Sequence, residues 1–341
     1  MNLDNLFENS KRFWLFFVFT AFLLGSVNSA AAQDDKANQP KLSAEEAKVA
    51  KKIEEAKTLD EKIKAAGDYI KKYPKSPIRN QVAEYIAGQI AQTNDTSVIV
   101  AKSENYFTIF NEPAEADRLL PNLVYSYITL KRHKDAFEAG ERYISRNPED
   151  VTVRLQLAVE GANLVRSGNK EYMPQSRTYG IRAIELIETD KRPADVEQAK
   201  WVEYRTRWLP QLHQSIGLMN YFSGDVKTAQ TNFEKAVALD SADVNSWILL
   251  GSILNDEYQE MAKKYTVSEP GAERDALLKQ ANERLDKIIE LYARVVALTD
   301  SDPNAKALNT QVRGDLESYY KYRHSNSTDG LQDLINKYKK R

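Results

Sequence analysis

Apolar residues from position 43 onwards recur three or four residues apart, which is the spacing of an amphipathic helix. No run of four to eight residues alternates in the manner of a half-buried strand. Two helix starts are marked by a hydroxyl residue followed three residues later by glutamate, as Ser43 with Glu46 and Thr58 with Glu61. The pattern therefore predicts an all-α protein.

Helix-breaking residues divide this helical stretch at a rough rhythm. Each interval has room for two helices of about 12–15 residues and two turns, which is typical of stacked helical hairpins. We expect about six to seven hairpins over residues 44–341, forming an α-α superhelix. The breakers are Pro74, Pro113, Pro148, Pro193, Asp240 with Ser241, and Asp302 with Pro303.

Residues 210–251 show the clearest repeat. Gly217 recurs as Gly251, 34 residues later, and each follows an aliphatic residue, with His213 or Trp247 four residues before the glycine. Ala229, Phe233 and Ala236 lie between the two glycines, and Leu250 precedes the second one. This spacing resembles the tetratricopeptide repeat (TPR), a helical hairpin that stacks into a solenoid. Residues 117–150 resemble it less closely, with Val124 in place of the glycine.

The repeat residues have a packing role that the resemblance makes explicit. We expect Gly217 and Ala229 to face each other across a tight helix pair, where a large side chain would hold the axes apart. Phe233 is expected to fill the space between successive pairs, and Ala236 to let the next hairpin approach. The best repeats are therefore 117–150, 210–243 and 244–302.

The unit 244–302 departs from the standard repeat length. A helical stripe runs from Trp247 to Tyr265, a turn follows at Pro270 and Gly271, and a return stripe continues to Val295. The unit is about 25 residues longer than its neighbours, which predicts an elongated hairpin over 246–298. Its stripe has two interpretations, ordinary pairing of the two helices or a docking surface for another protein.

The first 32 residues have the parts of a secretory signal peptide. Lys11 and Arg12 precede an apolar run over 13–24, and Ala30 and Ala32 provide an A-x-A cleavage site before Gln33. A polar linker over 33–43 follows. The alternative is an uncleaved anchor, because residues 13–32 together would just span a membrane as a helix.

Composition narrows the compartment and the partners. The chain has no Cys, and an exported protein of this size without disulfides fits a bacterial periplasm better than a eukaryotic secretory route. The formal net charge of −1 gives no electrostatic reason to expect nucleic-acid binding. Membrane contact is expected only through the N-terminal segment or through the basic C-terminus, where residues 304–341 hold 8 Lys and Arg against 4 Asp and Glu.

Motifs that would carry chemistry are missing from the chain. It has no Gly-rich phosphate loop, no G-x-S-x-G, and no H-E-x-x-H. His133, His213 and His324 are far apart, and none has a second ligand at metal-binding spacing. We therefore expect a non-enzymatic protein with no catalytic residues, no cofactor and no metal site.

The resemblance to TPR proteins implies a groove that binds other proteins or peptides along the first helix of each hairpin. Some TPRs clamp a partner's carboxylate with lysines, which are missing from the corresponding positions here. The implied groove residues are Arg118, Tyr125, Gln214, Leu218, Tyr221, Asn245, Ser252 and Asn255.

Trp201, Tyr204 and Trp208 share one helical face, close to Arg205 and Arg207. One interpretation is an aromatic surface for a peptide or glycan, and the other is a core stripe of the helix that precedes the best repeat.

Three functional hypotheses follow. The first is an exported periplasmic TPR scaffold that binds other proteins through its concave groove, in envelope assembly or protein quality control. The second is a membrane-tethered TPR chaperone subunit that retains residues 13–32. The third is a helical solenoid that binds glycans through the aromatic face.

Overall fold

A computed structural model describes residues 42–189, 192–193 and 196–339. The predicted signal peptide 1–32, the cleavage site at Ala32, nearly all of the linker 33–43 and the last two basic residues lie outside these described residues. Within them every regular element is a helix and none is a strand, so the prediction of an all-α fold is confirmed.

The described residues form two compact units, one up to Gln156 and one from Leu157 onwards. The boundary lies inside one helix (Val151–Arg166), and the single repeat domain expected over 44–341 stays a prediction. The described helices of the first unit, up to and including α8, are α1 (Ala44–Glu55), α2 (Leu59–Lys72), α3 (Arg79–Ala91), α4 (Thr96–Ile109), α5 (Pro113–Ala116), α6 (Leu120–Thr129), α7 (His133–Ile144) and α8 (Val151–Arg166).

Both predicted hydroxyl caps form at the first two helices. Thr58 accepts a hydrogen bond from the Glu61 amide at 3.2 Å, and the Glu61 carboxylate accepts one from the Thr58 amide at 3.0 Å, which completes a capping box. Ser43 caps α1 from one side only, at 3.1 Å from the Glu46 amide. The Glu46 carboxylate instead accepts a hydrogen bond from the Tyr69 hydroxyl at 2.9 Å, which links α1 to α2.

A buried ion pair joins α3 to α5 in the first unit. Arg79 binds Glu115 through Nε at 2.6 Å and through its terminal nitrogen at 3.0 Å, and Glu115 is fully buried. The Glu112 amide also donates to the Glu115 carboxylate at 3.1 Å. Because the Glu115 carboxylate is paired with Arg79 and accepts a further hydrogen bond, these contacts compensate the cost of removing its charge from water.

The second unit contains the predicted repeats and the long hairpin. A π-helical turn at Tyr204–Trp208 precedes α11, and a 3₁₀ turn at Pro303–Ala305 precedes α15. The remaining helices are α9 (Met173–Glu188), α10 (Gln198–Glu203), α11 (Leu209–Phe222), α12 (Val226–Leu239), α13 (Val244–Val267), α14 (Ala272–Thr299), α15 (Lys306–Arg323) and α16 (Leu331–Tyr338).

The two repeat glycines lie where an aromatic ring presses against the backbone of the first helix. A Cβ on Gly217 would come within 2.7 Å of the Phe233 ring, and one on Gly251 within 2.5 Å of Tyr292. Phe233 therefore packs against Gly217 within its own hairpin. Ala229 is fully buried in α12, and its contact with Gly217 stays a prediction. Gly217 precedes Phe233 by 16 residues, and Gly251 precedes Tyr292 by 41, so the two units share one register with 25 residues inserted.

The elongated hairpin of the predicted fold is present as α13 and α14, with 24 and 28 residues. Trp247, Leu250 and Gly251 lie on α13, where the repeat places them, and Ala236 is fully buried in α12. The hairpins α11–α12 and α13–α14 thus have the TPR-like register that their sequence predicts.

A further close approach involves α8 and α9, where the sequence showed no repeat. A Cβ on Gly161 would lie 1.9 Å from the Ser176 hydroxyl oxygen, so only glycine fits there. A Cβ on Gly180 would lie 2.7 Å from Cδ1 of Ile216 in α11. Small residues therefore set helix contacts before the recognisable repeats as well as within them.

The contact at Gly251 yields a stability prediction. Replacement of Gly251 with Leu forces the Tyr292 ring and α14 away from α13, and we expect the free energy of unfolding to fall by about 1–3 kcal/mol or more. Gly314→Ala is the matched control, because no atom lies within 4 Å of a Cβ at this exposed helical position. It should stabilise the protein by about 0.5–1 kcal/mol. Urea unfolding measures both, and equal midpoints for the two variants would contradict the register.

Candidate functional site

The groove residues expected on α11 do not form an open surface. Every residue from Leu209 to Asn220 is buried except Gln211. Leu218 is 3% exposed, and Gln214 is 6% exposed and donates to the Asp243 carboxylate at 2.6 Å. These two side chains are therefore unavailable to a partner, and their assignment to a binding groove is corrected to a packing role.

The other four residues of the second unit remain at least partly exposed. Tyr221 and Ser252 are half-buried, and Asn245 is exposed. Asn255 is half-buried and accepts a hydrogen bond from the Tyr319 hydroxyl of α15 at 2.6 Å, so its amide oxygen already has an internal partner. The positions share helices but do not form one continuous polar lining.

The remaining two predicted groove residues lie in the first unit. Arg118 pairs with Glu84 of α3 at 2.9 Å, and Tyr125 is half-buried on α6. The Arg118 side chain therefore contributes to the packing between the α5–α6 connection and α3, and its charge is already matched.

The aromatic face at Trp201, Tyr204 and Trp208 is not a surface. The three residues are 4%, 2% and 1% exposed, and Trp208 donates its indole N–H to the Glu203 carboxylate at 3.1 Å. Burial beside the π-helical turn explains the stripe as core packing. The hypothesis of a glycan-binding aromatic surface thus loses its basis.

His213 occupies the tryptophan position of its repeat and is 2% exposed. Asn232 donates its side-chain N–H to the Thr228 carbonyl at 2.9 Å, which turns its amide oxygen to His213 Nδ1 at 3.1 Å. This network assigns the ring proton to Nδ1. The other ring nitrogen lies 3.5 Å from the Glu188 carboxylate but has no hydrogen-bond partner among the described residues, so the hydrogen bond of His213 joins α11 to α12 only.

An open groove of about 450 Å³ lies between α12 and α14, with α13 also contributing to its lining. All three helices belong to the second unit. We call it the α12–α14 groove. Its walls come from α12 and α14, the second helices of two successive hairpins, and α13 lies at its base. Trp247 and Leu291 remain partly exposed in it. The apolar residues that line it are Val237, Ala238, Trp247, Leu250, Leu254 and Leu291.

The α14 wall of this groove is basic. Arg294 places its guanidinium 4.8 Å from the centre of the Trp247 ring and 4.1 Å from that of Tyr338. Lys287 is exposed on the same wall. Among the described residues, Arg294 and Lys287 form no ion pair, whereas Arg284 at the far end of the wall pairs with Glu257 at 3.0 Å.

The groove was not predicted from the sequence, although part of its signal was present. Trp247 and Leu250 were assigned to repeat packing, and both line the groove as well. The sequence places Trp247 where the preceding repeat has His213. In the structure His213 is buried, whereas Trp247 remains partly exposed. Arg294 and Lys287 carried no signal, because only the fold brings them beside the aromatic rings.

The described residues contain no group of three or more His, Cys, Asp or Glu side chains placed to hold a metal ion. The pKa values that depart furthest from their ordinary values belong to tyrosines in the helix contacts, and Tyr292 is partly buried there. Burial raises the pKa of Tyr292 to about 12, and nearby Tyr319, Asp315 and Asp256 add smaller contributions. Burial also raises the pKa of Tyr106 in the first unit.

No protein-family model and no curated protein matches the chain. Among solved structures, a tetratricopeptide repeat protein from Parabacteroides merdae ATCC 43184 is similar over 78% of this chain and 96% of its own, with 11% identity and a TM-score of 0.35. The helices of the described residues themselves establish the fold. They form consecutive hairpins, two of which share the TPR-like register.

The raised pKa of Tyr292 predicts a pH dependence of stability. The unfolded chain loses the phenol proton near pH 10, whereas the folded protein holds it to about pH 12. The contribution is fully present below pH 10 and is lost as the pH rises to about 12, so the free energy of unfolding falls in that window.

Tyr292→Phe keeps the ring against Gly251 and removes the ionisable group. We expect a smaller drop in the urea midpoint between pH 8 and pH 11 for this variant than for the unmodified protein. Tyr322→Phe, at a side chain that is 62% exposed, is the control and should leave the drop unchanged. An identical drop of the urea midpoint in all three proteins would show that folding does not raise the pKa of Tyr292.

Proposed function

We propose that the protein is an exported helical-repeat scaffold that binds other proteins. The repeated contact at Gly217 and Gly251 is the observation that carries this proposal, because it makes the hairpins α11–α12 and α13–α14 two copies of one packing unit. Stacked units of this kind present long side-chain surfaces, which suit binding of other polypeptides. We propose no catalytic role, since the sequence has no Gly-rich phosphate loop, no G-x-S-x-G and no H-E-x-x-H.

We place the scaffold in a bacterial periplasm, with a role in envelope assembly or protein quality control. The support is the basic, apolar and A-x-A order of residues 1–32, together with the lack of Cys. No helix in the described part of the chain is long and apolar enough to cross a membrane. The competing proposal is a tethered chaperone subunit, in which residues 13–32 remain attached as an anchor.

N-terminal sequencing of the protein from fractionated bacteria separates the two proposals. We expect Gln33 as the first residue, in the periplasmic fraction. Ala32→Leu should block cleavage, because the last residue before the cut must be small. Ala31→Leu is the matched control and should be processed normally, since the middle position of A-x-A accepts any residue. An intact N-terminus in the membrane fraction would favour the tether.

Partner binding is tested by cross-linking in whole cells at native expression, followed by identification of the attached proteins. We expect a reproducible set of envelope proteins, reduced in the Gly251→Leu variant because its repeat packing is disturbed. Gly314→Ala should capture the same set as the unmodified protein. Recovery of a small-molecule substrate without any reproducible protein would count against the scaffold.

A further inference from the structure

We propose that the α12–α14 groove binds an amphipathic segment of a partner protein in which acidic residues flank an apolar one. This inference rests on the proposed function as a protein-binding scaffold and adds the chemistry of the partner segment. It depends on three features of the groove: two partly exposed apolar side chains, Trp247 and Leu291, an arginine that forms no ion pair, and a second cation two turns away on the same helix.

The groove has partly exposed apolar side chains at two positions whose counterparts in the preceding repeat form a hydrogen bond within the hairpin. His213 and Asn232 occupy the corresponding places one repeat earlier, where His213 is 2% exposed and bonds to Asn232 across the hairpin. In the next unit these places hold Trp247 and Leu291, which line the groove and remain partly exposed. An apolar side chain of a partner would remove this surface from water.

Arg294 is held in position without being neutralised. Its guanidinium lies between the rings of Trp247 and Tyr338, and the Trp247 indole is itself fixed by a 3.1 Å hydrogen bond to the Ser241 carbonyl. Stacking on aromatic faces leaves the N–H edge of a guanidinium free to bind a carboxylate. Because the side chain is already ordered, binding requires little further loss of side-chain entropy.

Lys287 lies two turns before Arg294 on α14, and Leu291 lies between them. Seven residues correspond to about 10 Å along a helix axis, so the two cations lie on either side of an apolar contact. A helical segment with acidic residues seven positions apart and an apolar residue between them matches this arrangement.

The carboxylates near the groove do not neutralise this wall. Glu290 lies 3.6 Å from Lys337 of α16, and it accepts a hydrogen bond from the Tyr338 hydroxyl at 3.4 Å. Glu234 is on the opposite wall, where Gln230 donates to it at 2.8 Å. Glu290 thus has its partners on α16, and Lys287 and Arg294 on the same wall remain without an ion pair, which favours a segment whose acidic side faces α14.

Selection of random linear peptides displayed on phage against the purified protein tests the proposal. Enriched peptides are synthesised with a fluorescent label, and their Kd is measured by anisotropy. We expect sequences with Asp or Glu on both sides of an apolar residue. Replacement of the acidic residues of the peptide by their amides should weaken binding about tenfold or more, because hydrogen-bonded charge pairs are lost.

Three protein variants locate the binding site. Lys287→Glu and Arg294→Gln should each weaken binding about tenfold, since each removes one charged contact. Lys279→Glu is the matched control on the same helix, at a side chain that is 79% exposed and does not line the groove, and it should leave the Kd unchanged. Circular dichroism confirms that each variant keeps its helical content.

The outcomes distinguish the groove from the scaffold. Enriched peptides that lack acidic residues, or that bind all variants equally, would overturn the groove inference and leave the proposed function intact. Failure to enrich any peptide would also overturn it. If cross-linking in cells then returned no protein either, the scaffold function itself would be wrong.

Discussion

The close approach of paired helices, with an aromatic ring pressed against a glycine, is the constraint on which the second unit depends. At Gly217 and Gly251 the space for a Cβ is taken by Phe233 and Tyr292. A larger residue at either glycine would separate the two helices of a hairpin and tilt the next hairpin. The contact also explains how α13 and α14 can be so long, because the register is set at the glycine and the extra residues extend beyond it.

Polar side chains inside the helix contacts complement this apolar packing. Glu115 in the first unit is fully buried and binds the partly exposed Arg79 through two hydrogen bonds, and the buried His213 bonds to Asn232. Each of these two contacts joins neighbouring helices, and loss of one partner would leave a buried charge or ring nitrogen unpaired, at a cost in free energy. Hydrogen bonds and ion pairs are directional, so these pairs restrict how the helices can be arranged more than apolar contacts alone would.

The candidate site arises where this internal pairing stops. The His213 position is closed from its surroundings, whereas Trp247 one repeat later faces an open groove together with Leu291. Arg294 is ordered there by aromatic stacking and not by a carboxylate. The same repeat position thus serves as core in one hairpin and as accessible surface in the next, although both have the same backbone register.

The sequence by itself determined the helical class, the register shared by Gly217 and Gly251, and the extra length of the hairpin after Gly251. These features depend on local periodicity and on glycine spacing, which can be seen along the chain. Only the tertiary structure decided which faces stay accessible. Leu218, Gln214 and the rings at Trp201, Tyr204 and Trp208 are at positions that could be surface or core, and the structure buries them. Arg294 and Lys287 became candidates because folding brings α14 beside Trp247, and exposure depends on neighbours distant in sequence that helical periodicity cannot specify.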